Sequence, residues 1–282
     1  MIIDMHTHIF PDEISAAVIE KLSRISRTPA FTNGTLNGLK KSMDAAQIDL
    51  SVILPVATNS RQVEKINSSA AALNEKFSDE GIFSFGCIHP DFENYREELA
   101  RVKNYGLKGI KIHPVYQDTN LDDVEFLRIL YRAAELDLIV VTHAGLDIGF
   151  PGIIRCSPTM ARHVVRELGD LKFVLAHMGG WKNWNEVSET LADTKIFIDT
   201  AFSTEKIIPR SDFVWAEEDL KLLDAAQFME FVKIFGADRI LFGTDSPWTS
   251  QKKSVDFIKN LPLTDADINK ILGLNARRLL KV

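Results

Sequence analysis

Three observations predict an α/β fold for this 282-residue chain, specifically a single-domain (β/α)8 TIM barrel over residues 1–282. Eight short, β-branched apolar runs are spread along the sequence. Amphipathic stretches of helix length separate most of them. The polar, chemistry-bearing residues gather at the C-terminal ends of the runs.

In order, the runs are MIIDMHTHI (1–9), LSVILPVA (50–57), IFSFGCIHP (82–90), LKGIKIHP (107–114), LIVVTHAG (138–145), LKFVLAHMG (171–179), TKIFIDTAF (194–202) and RILFGTDSP (239–247). Runs of Val, Ile and Phe without alternation read as strands buried on both faces, as in a parallel sheet. Between them, residues 60–80, 94–105, 123–136, 157–169 and 224–239 carry helical periodicity, and residues 263–282 close the chain as one or two helices. Ser60 and Ser157 are expected to cap helices, with Pro158 in the first turn. Gly106 and Gly169 stand just past helix ends, where a left-handed residue is wanted. A doubly wound open sheet is the rival fold, but no Gly-rich phosphate turn follows the first strand.

Composition limits the partners. Lys plus Arg number 33 against 39 for Asp plus Glu, a formal net charge of −6. That balance and the lack of a basic cluster argue against nucleic-acid binding. Two cysteines, Cys87 and Cys156, make no disulfide framework and fit a reducing compartment. The first strand starts at once with Asp4 inside it, which does not read as a signal peptide. No apolar run approaches the roughly 18 residues that span a bilayer. The expectation is a cytoplasmic protein that acts on a small molecule.

Six of the seven histidines stand at predicted strand ends: His6, His8, His89, His113, His143 and His177; His163 lies on a helix. Asp199 and Asp245 end the seventh and eighth runs. Side chains alternate along a strand, so His6 and His8 point the same way, together with Asp4. Facing inward at a barrel mouth, the two imidazoles can bind one cation, and His143 and His177 can point into the same space. Asp245 supplies a carboxylate that ligates or acts as a base. Imidazole nitrogen with carboxylate oxygen suits Zn2+, with Mn2+, Fe2+ or Co2+ as alternatives.

This ordered pattern of HxH, two later histidines and a final Asp resembles the amidohydrolase superfamily. The stretches MIIDMHTHIF, GLKGIKIHP, THAG, LAHMGG, LFGTDSPW and GLNARRLL are similar to its amidohydrolase-related branch. That branch holds TIM-barrel hydrolases and decarboxylases related to the aminocarboxymuconate-semialdehyde and resorcylate enzymes. The resemblance implies His6, His8, His143 and Asp245 around one divalent metal, with His177 facing the metal-bound water or the substrate. A cation of this kind brings a bound water to a pKa of about 7. Asp245 would then carry the proton, and His177 would polarise the electrophile.

The main expectation is therefore a hydrolase of an amide, lactone or similar carbonyl bond. The alternative is a non-oxidative decarboxylase of a small cyclic or unsaturated carboxylic acid. The resemblance asks an anion-binding arginine of the decarboxylases, and only Arg61, Arg155 and Arg210 offer one from loops. A barrel that only binds is disfavoured by the complete ligand set. Lys111 shares parity with His113. It is read as an ion-pair partner of Asp4 or Asp199 rather than a carboxylated metal bridge, so one metal per chain is favoured, with Lys111 and His113 as second-metal or substrate residues otherwise. Trp181, Trp248, Tyr116 and Arg155 are the substrate-contact candidates. The stretch FVWAEEDLKLL (213–223) is expected to be interface or lid, and a homodimer fits the resemblance.

Overall fold

The computed structural model describes residues 1–169 and 171–282. In chain order the strands are β1 (Ile3–Thr7), β2 (Leu50–Ile53), β3 (Ile82–Ser84), β4 (Gly86–Cys87), β5 (Gly109–Ile112), β6 (Ile139–Thr142), β7 (Leu146–Asp147), β8 (Phe150–Ile154), β9 (Lys172–Leu175), β10 (Phe197–Asp199) and β11 (Ile240–Leu241). The helices are α1 (Asp12–Ser26), α2 (Leu36–Ala46), α3 (Val63–Phe77), α4 (Tyr95–Asn104), α5 (Val124–Glu135), α6 (Pro158–Leu168), α7 (Trp184–Leu191), α8 (Ala225–Phe235), α9 (Gln251–Lys259), α10 (Asp265–Asn269) and α11 (Asn275–Leu280). Two compact units divide the chain: Met1–Ser51 with Thr200–Val282, and Val52–Asp199.

The second unit is a parallel sheet in the order β4-β5-β6-β9-β10. Its register pairs Cys87 with Lys111, Lys111 with Val141, Val141 with Val174, and Val174 with Phe197. Ile110, Ile112, Val140, Val141, Val174 and Leu175 are all buried, so both faces are covered, as their unbroken apolar runs require. On α5 the buried residues Phe126, Ile129, Leu130 and Ala133 follow the helical spacing of three and four. Ser157 accepts a hydrogen bond from Met160 N at 3.2 Å with Pro158 in the first turn, which starts α6. Amides replace missing backbone pairing at strand ends. Asn67 donates to Cys87 O and accepts from Cys87 N, and Gln117 donates to Ala57 O and Ile88 O while accepting from His113 N.

In the first unit, Met5 N donates to Phe242 O at 2.9 Å, and Thr7 bridges Ser246 in parallel. The closing helices α10 and α11 are joined through a π turn over Lys270–Leu274. There Gly273 packs so tightly that an added Cβ would lie 2.3 Å from Met1 O. Asn275 donates to Ala237 O and Ile240 O, fastening α11 beside β11.

Several local expectations need correction. Every strand is shorter than its apolar run, because pairing stops before the segment that bends into the following loop. Ser60 begins a 3-10 turn and caps nothing with its side chain. Residues 146–154, to which the sequence assigns no element, fold as an antiparallel hairpin, β7–β8. The 213–223 stretch is irregular, with Leu220, Leu222 and Leu223 buried and Val214 exposed. Among the described residues, no helix is long and apolar enough to cross a membrane.

Candidate active site

In the first unit, β1 delivers two imidazoles. His6 is fully buried at its end and His8 follows one residue after it. Asp245 Oδ1 lies 3.0 Å from His8 Nε2 and 3.4 Å from His6 Nε2. The two rings sit edge to face, with centroids 5.1 Å apart. His6, His8 and Asp245 each present one donor atom within 4.8 Å of the others. Two nitrogens and one carboxylate oxygen at such spacing fit a borderline divalent cation.

The backbone holds this arrangement. Asp245 has a left-handed φ of 63°, a conformation that costs a non-glycine residue about 1–2 kcal/mol. It is kept there because Asp245 N donates to His6 O at 2.8 Å and Trp248 N donates to Asp245 O at 2.8 Å. His8 N donates to Ser246 O at 2.6 Å, so the loop after β11 is fastened along the end of β1. Below it lies Asp4, wholly buried. Its carboxylate accepts from His6 N (3.1 Å), Thr244 N (3.0 Å), Thr244 Oγ1 (2.6 Å) and Gln251 Nε2 (2.7 Å). Burial pushes its pKa up to about 6, with these bonds pulling the other way.

A second cluster lies in the second unit. His143 Nδ1 is 3.0 Å from His177 Nε2, and His143 Nε2 is 3.1 Å from Leu146 O. His113 stacks on His143 at 4.3 Å and on Tyr116 at 4.0 Å, nearly parallel in both cases. Asp147 Oδ2 faces His113 Nε2 at 3.6 Å and His143 Nε2 at 3.8 Å. Burial, and then the charges of His113, His177 and Lys111, hold the His143 imidazole well below its ordinary pKa. His177 is left-handed at φ 60°; its N donates to Asp199 Oδ1 at 2.9 Å and its carbonyl accepts from Trp184 Nε1 at 3.1 Å.

The structure thus groups His6, His8 and Asp245 in one unit and His113, His143 and His177 in the other, where Lys111 is also buried. Tyr116 is stacked on His113. Trp181 is buried, with its amide donating to Ala144 O. Trp248 lines a pocket in the first unit with Phe31, Phe202 and Lys253. Arg155 is paired with Asp118 and Asn120, and Arg210 with Glu20 and Asp212. His89 accepts from Asp91 N at 3.1 Å, which orders its own turn. His163 is a surface residue of α6 beside Asp122. Sequence reasoning missed Asp147. The signal was present in Asp147-Ile-Gly149, where Asp147 Oδ1 accepts from Gly149 N at 2.7 Å in the turn such residues form.

Residues 3–282 match the family model described as amidohydrolase. Among solved structures, an uncharacterized TIM-barrel protein from Bordetella bronchiseptica is 18% identical with a TM-score of 0.73, over 99% of this chain and 98% of that one. A 5-carboxyvanillate decarboxylase from Sphingomonas paucimobilis is 16% identical at TM-score 0.70, over 100% and 99%. A dihydroxybenzoic acid decarboxylase from Polaromonas sp., with bound manganese and the inhibitor 2-nitroresorcinol, is 16% identical at TM-score 0.67, over 99% and 96%. These likenesses show the TIM-barrel fold that the strand and helix pattern predicts. Among curated proteins, none matches the chain.

Proposed function

The chain belongs to the amidohydrolase family, and on that premise we propose that it is a metal-dependent, non-oxidative decarboxylase of a small cyclic carboxylic acid. The observation that carries this reading is the His6–His8–Asp245 cluster in a chain whose structural relatives include aromatic acid decarboxylases, one of them with manganese bound. The hydrolase expected from the sequence is the second reading, supported by the family's description. The scarcity of loop arginines, which weighed against decarboxylation, is here outweighed by the relatives.

His6, His8 and Asp245 would hold the cation, and manganese or zinc suits their donor set. When bound, the ion supplies a fixed positive charge for an anionic substrate oxygen. Decarboxylation breaks one carbon–carbon bond, leaves its electron pair on the ring carbon and requires one proton there. Asp245 is the residue we assign to carry that proton, on the carboxylate whose Oδ1 faces both imidazoles. In the second unit, the 3.0 Å contact between His177 Nε2 and His143 Nδ1 lets one proton be shared between two rings. Burial keeps His143 neutral, so one of its ring nitrogens has a lone pair for this hydrogen bond.

The test is a panel of dihydroxybenzoates, 5-carboxyvanillate, lactones and amides, each with manganese-loaded and zinc-loaded protein in deuterated water. Release of carbon dioxide with one deuterium on the ring carbon is the expected result. Turnover of a lactone or amide with no carbon dioxide from any acid would establish the hydrolase instead.

A further inference from the structure

We propose that Trp184 and Asp199 are positioning residues for His177: together they hold its backbone in a left-handed turn that aims its ring at His143. The kinetic consequence rests on the proposed function; the placement of the ring does not.

Strand register shows why aiming is needed. Val141 pairs with Val174 and Thr142 with Leu175, and Ala176 N continues the ladder by donating to Thr142 O at 2.9 Å. His143 therefore stands beside Ala176, and the two side chains leave the same face of the sheet. Alternation in an extended chain would send the next side chain, His177, to the opposite face. The φ of His177 is 60°, about half a turn from the roughly −120° of a parallel strand. Rotation about N–Cα carries Cβ with it, so the half turn brings the imidazole across. Its Nε2 lies 3.0 Å from His143 Nδ1, with the two rings edge to face and their centroids 4.7 Å apart.

Contacts from other elements impose this conformation. His177, Met178 and Gly179 are left-handed in succession, at 60°, 54° and 83°, and the first two carry a Cβ that disfavours it. Asp199, at the end of β10, takes the two leading amides. His177 N donates to its Oδ1 at 2.9 Å, and Met178 N donates to its carbonyl at 2.6 Å. Trp184, the first residue of α7, donates from indole Nε1 to His177 O at 3.1 Å, an oxygen that also accepts from Gly180 N at 3.3 Å. His177 and Asp199 are buried, so a backbone group that loses its partner there is left unsatisfied. These bonds are made to the His177 backbone, and they act on the reaction through where the ring stands. A proton-transfer group displaced by about 1 Å loses about 100-fold in rate.

The test uses the full chain with Trp184→Phe, which deletes the indole donor and keeps an aromatic ring, and Asp199→Ala, with Asp199→Asn as its conservative counterpart. Folding of each variant is verified from its unfolding transition. In the chelator-treated wild type, NMR of the histidine ring protons should show one downfield, exchange-protected signal shared between His143 and His177, identified by its loss in His177→Gln. Trp184→Phe and Asp199→Ala should lose that signal. Asp199→Asn, whose amide oxygen still accepts from His177 N, should keep it. A signal unchanged in either folded variant overturns the assignment of that residue, and its absence from the wild type overturns both. Where Asp199→Ala does not fold, Trp184→Phe decides. With any acid that the manganese-loaded wild type decarboxylates, Trp184→Phe should lower kcat about tenfold or more, with KM and metal content unchanged. A raised KM at unchanged kcat overturns the positioning role. If the wild type decarboxylates no acid, the proposed function fails, and the NMR signal alone decides the roles of Trp184 and Asp199.

Discussion

Asp4 gives the sharpest quantitative prediction, because a wholly buried carboxylate fastens the two segments that carry His6, His8 and Asp245. Burial raises its pKa from 3.8 to about 6. Between these values the folded chain holds a proton that the unfolded chain releases. Stability from this residue is therefore full below pH 3.8 and is lost as pH rises through about 6. A shift of about two units at about 1.4 kcal/mol each amounts to about 3 kcal/mol. Asp4→Asn removes the titration while keeping one oxygen for the His6 and Thr244 amides. Its new NH2 group meets Gln251, whose Oε1 has no hydrogen-bond partner among the described residues and can turn to accept from it. The assay is urea unfolding of wild type and variant across pH 4 to 7, with a chelator present so that no cation acts on Asp4. The stability of the variant relative to wild type should rise by about 3 kcal/mol over that range. A difference that is flat with pH, or that falls, would refute the claim that desolvation dominates at Asp4.

Four further outcomes follow from the same geometry. His143, held neutral by burial, should make the chelated protein lose stability as pH falls below 6.5, the reverse direction to Asp4, and His143→Gln should flatten that loss in pH-dependent melts. Manganese at about 100 times its dissociation constant should add about 2.7 kcal/mol to wild type in thermal unfolding, and His8→Ala should respond much less. Gly145→Ala places a Cβ 2.2 Å from Trp181 N at a φ of 83°, so we expect about 3 kcal/mol or more of destabilisation, read as a lowered midpoint in urea. Gln117→Ala leaves His113 N, Ala57 O and Ile88 O without their partner and should cost about 3 kcal/mol; a loss below about 1 kcal/mol would mean water replaces the amide.

How much of this was legible beforehand depends on the range of the interactions. Period-two alternation makes His6 and His8 neighbours on one side of a strand, and the structure keeps them together. Unbroken Val and Ile runs announced buried parallel strands, and Ser157-Pro158 announced the start of α6. All of these are properties of a few consecutive residues. Asp147 escaped because a two-residue strand has too little pattern to separate from a loop. The left-handed backbone of His177 and Asp245 escaped because contacts from distant parts of the chain impose it.

By itself, then, the sequence determined the fold class, the strand-end placement of the histidines and the shared side of His6 and His8, since alternation and apolar patterning act locally. Only the tertiary structure decided the partners: His8 meets Asp245 across 237 residues, Asp4 reaches Thr244 across 240, and Asp147 comes to face both His113 and His143. Local propensity carries no information about which distant side chain will fill a given hydrogen-bonding or ligand position. That is decided when packing closes the loops and buried polar groups must each find a partner.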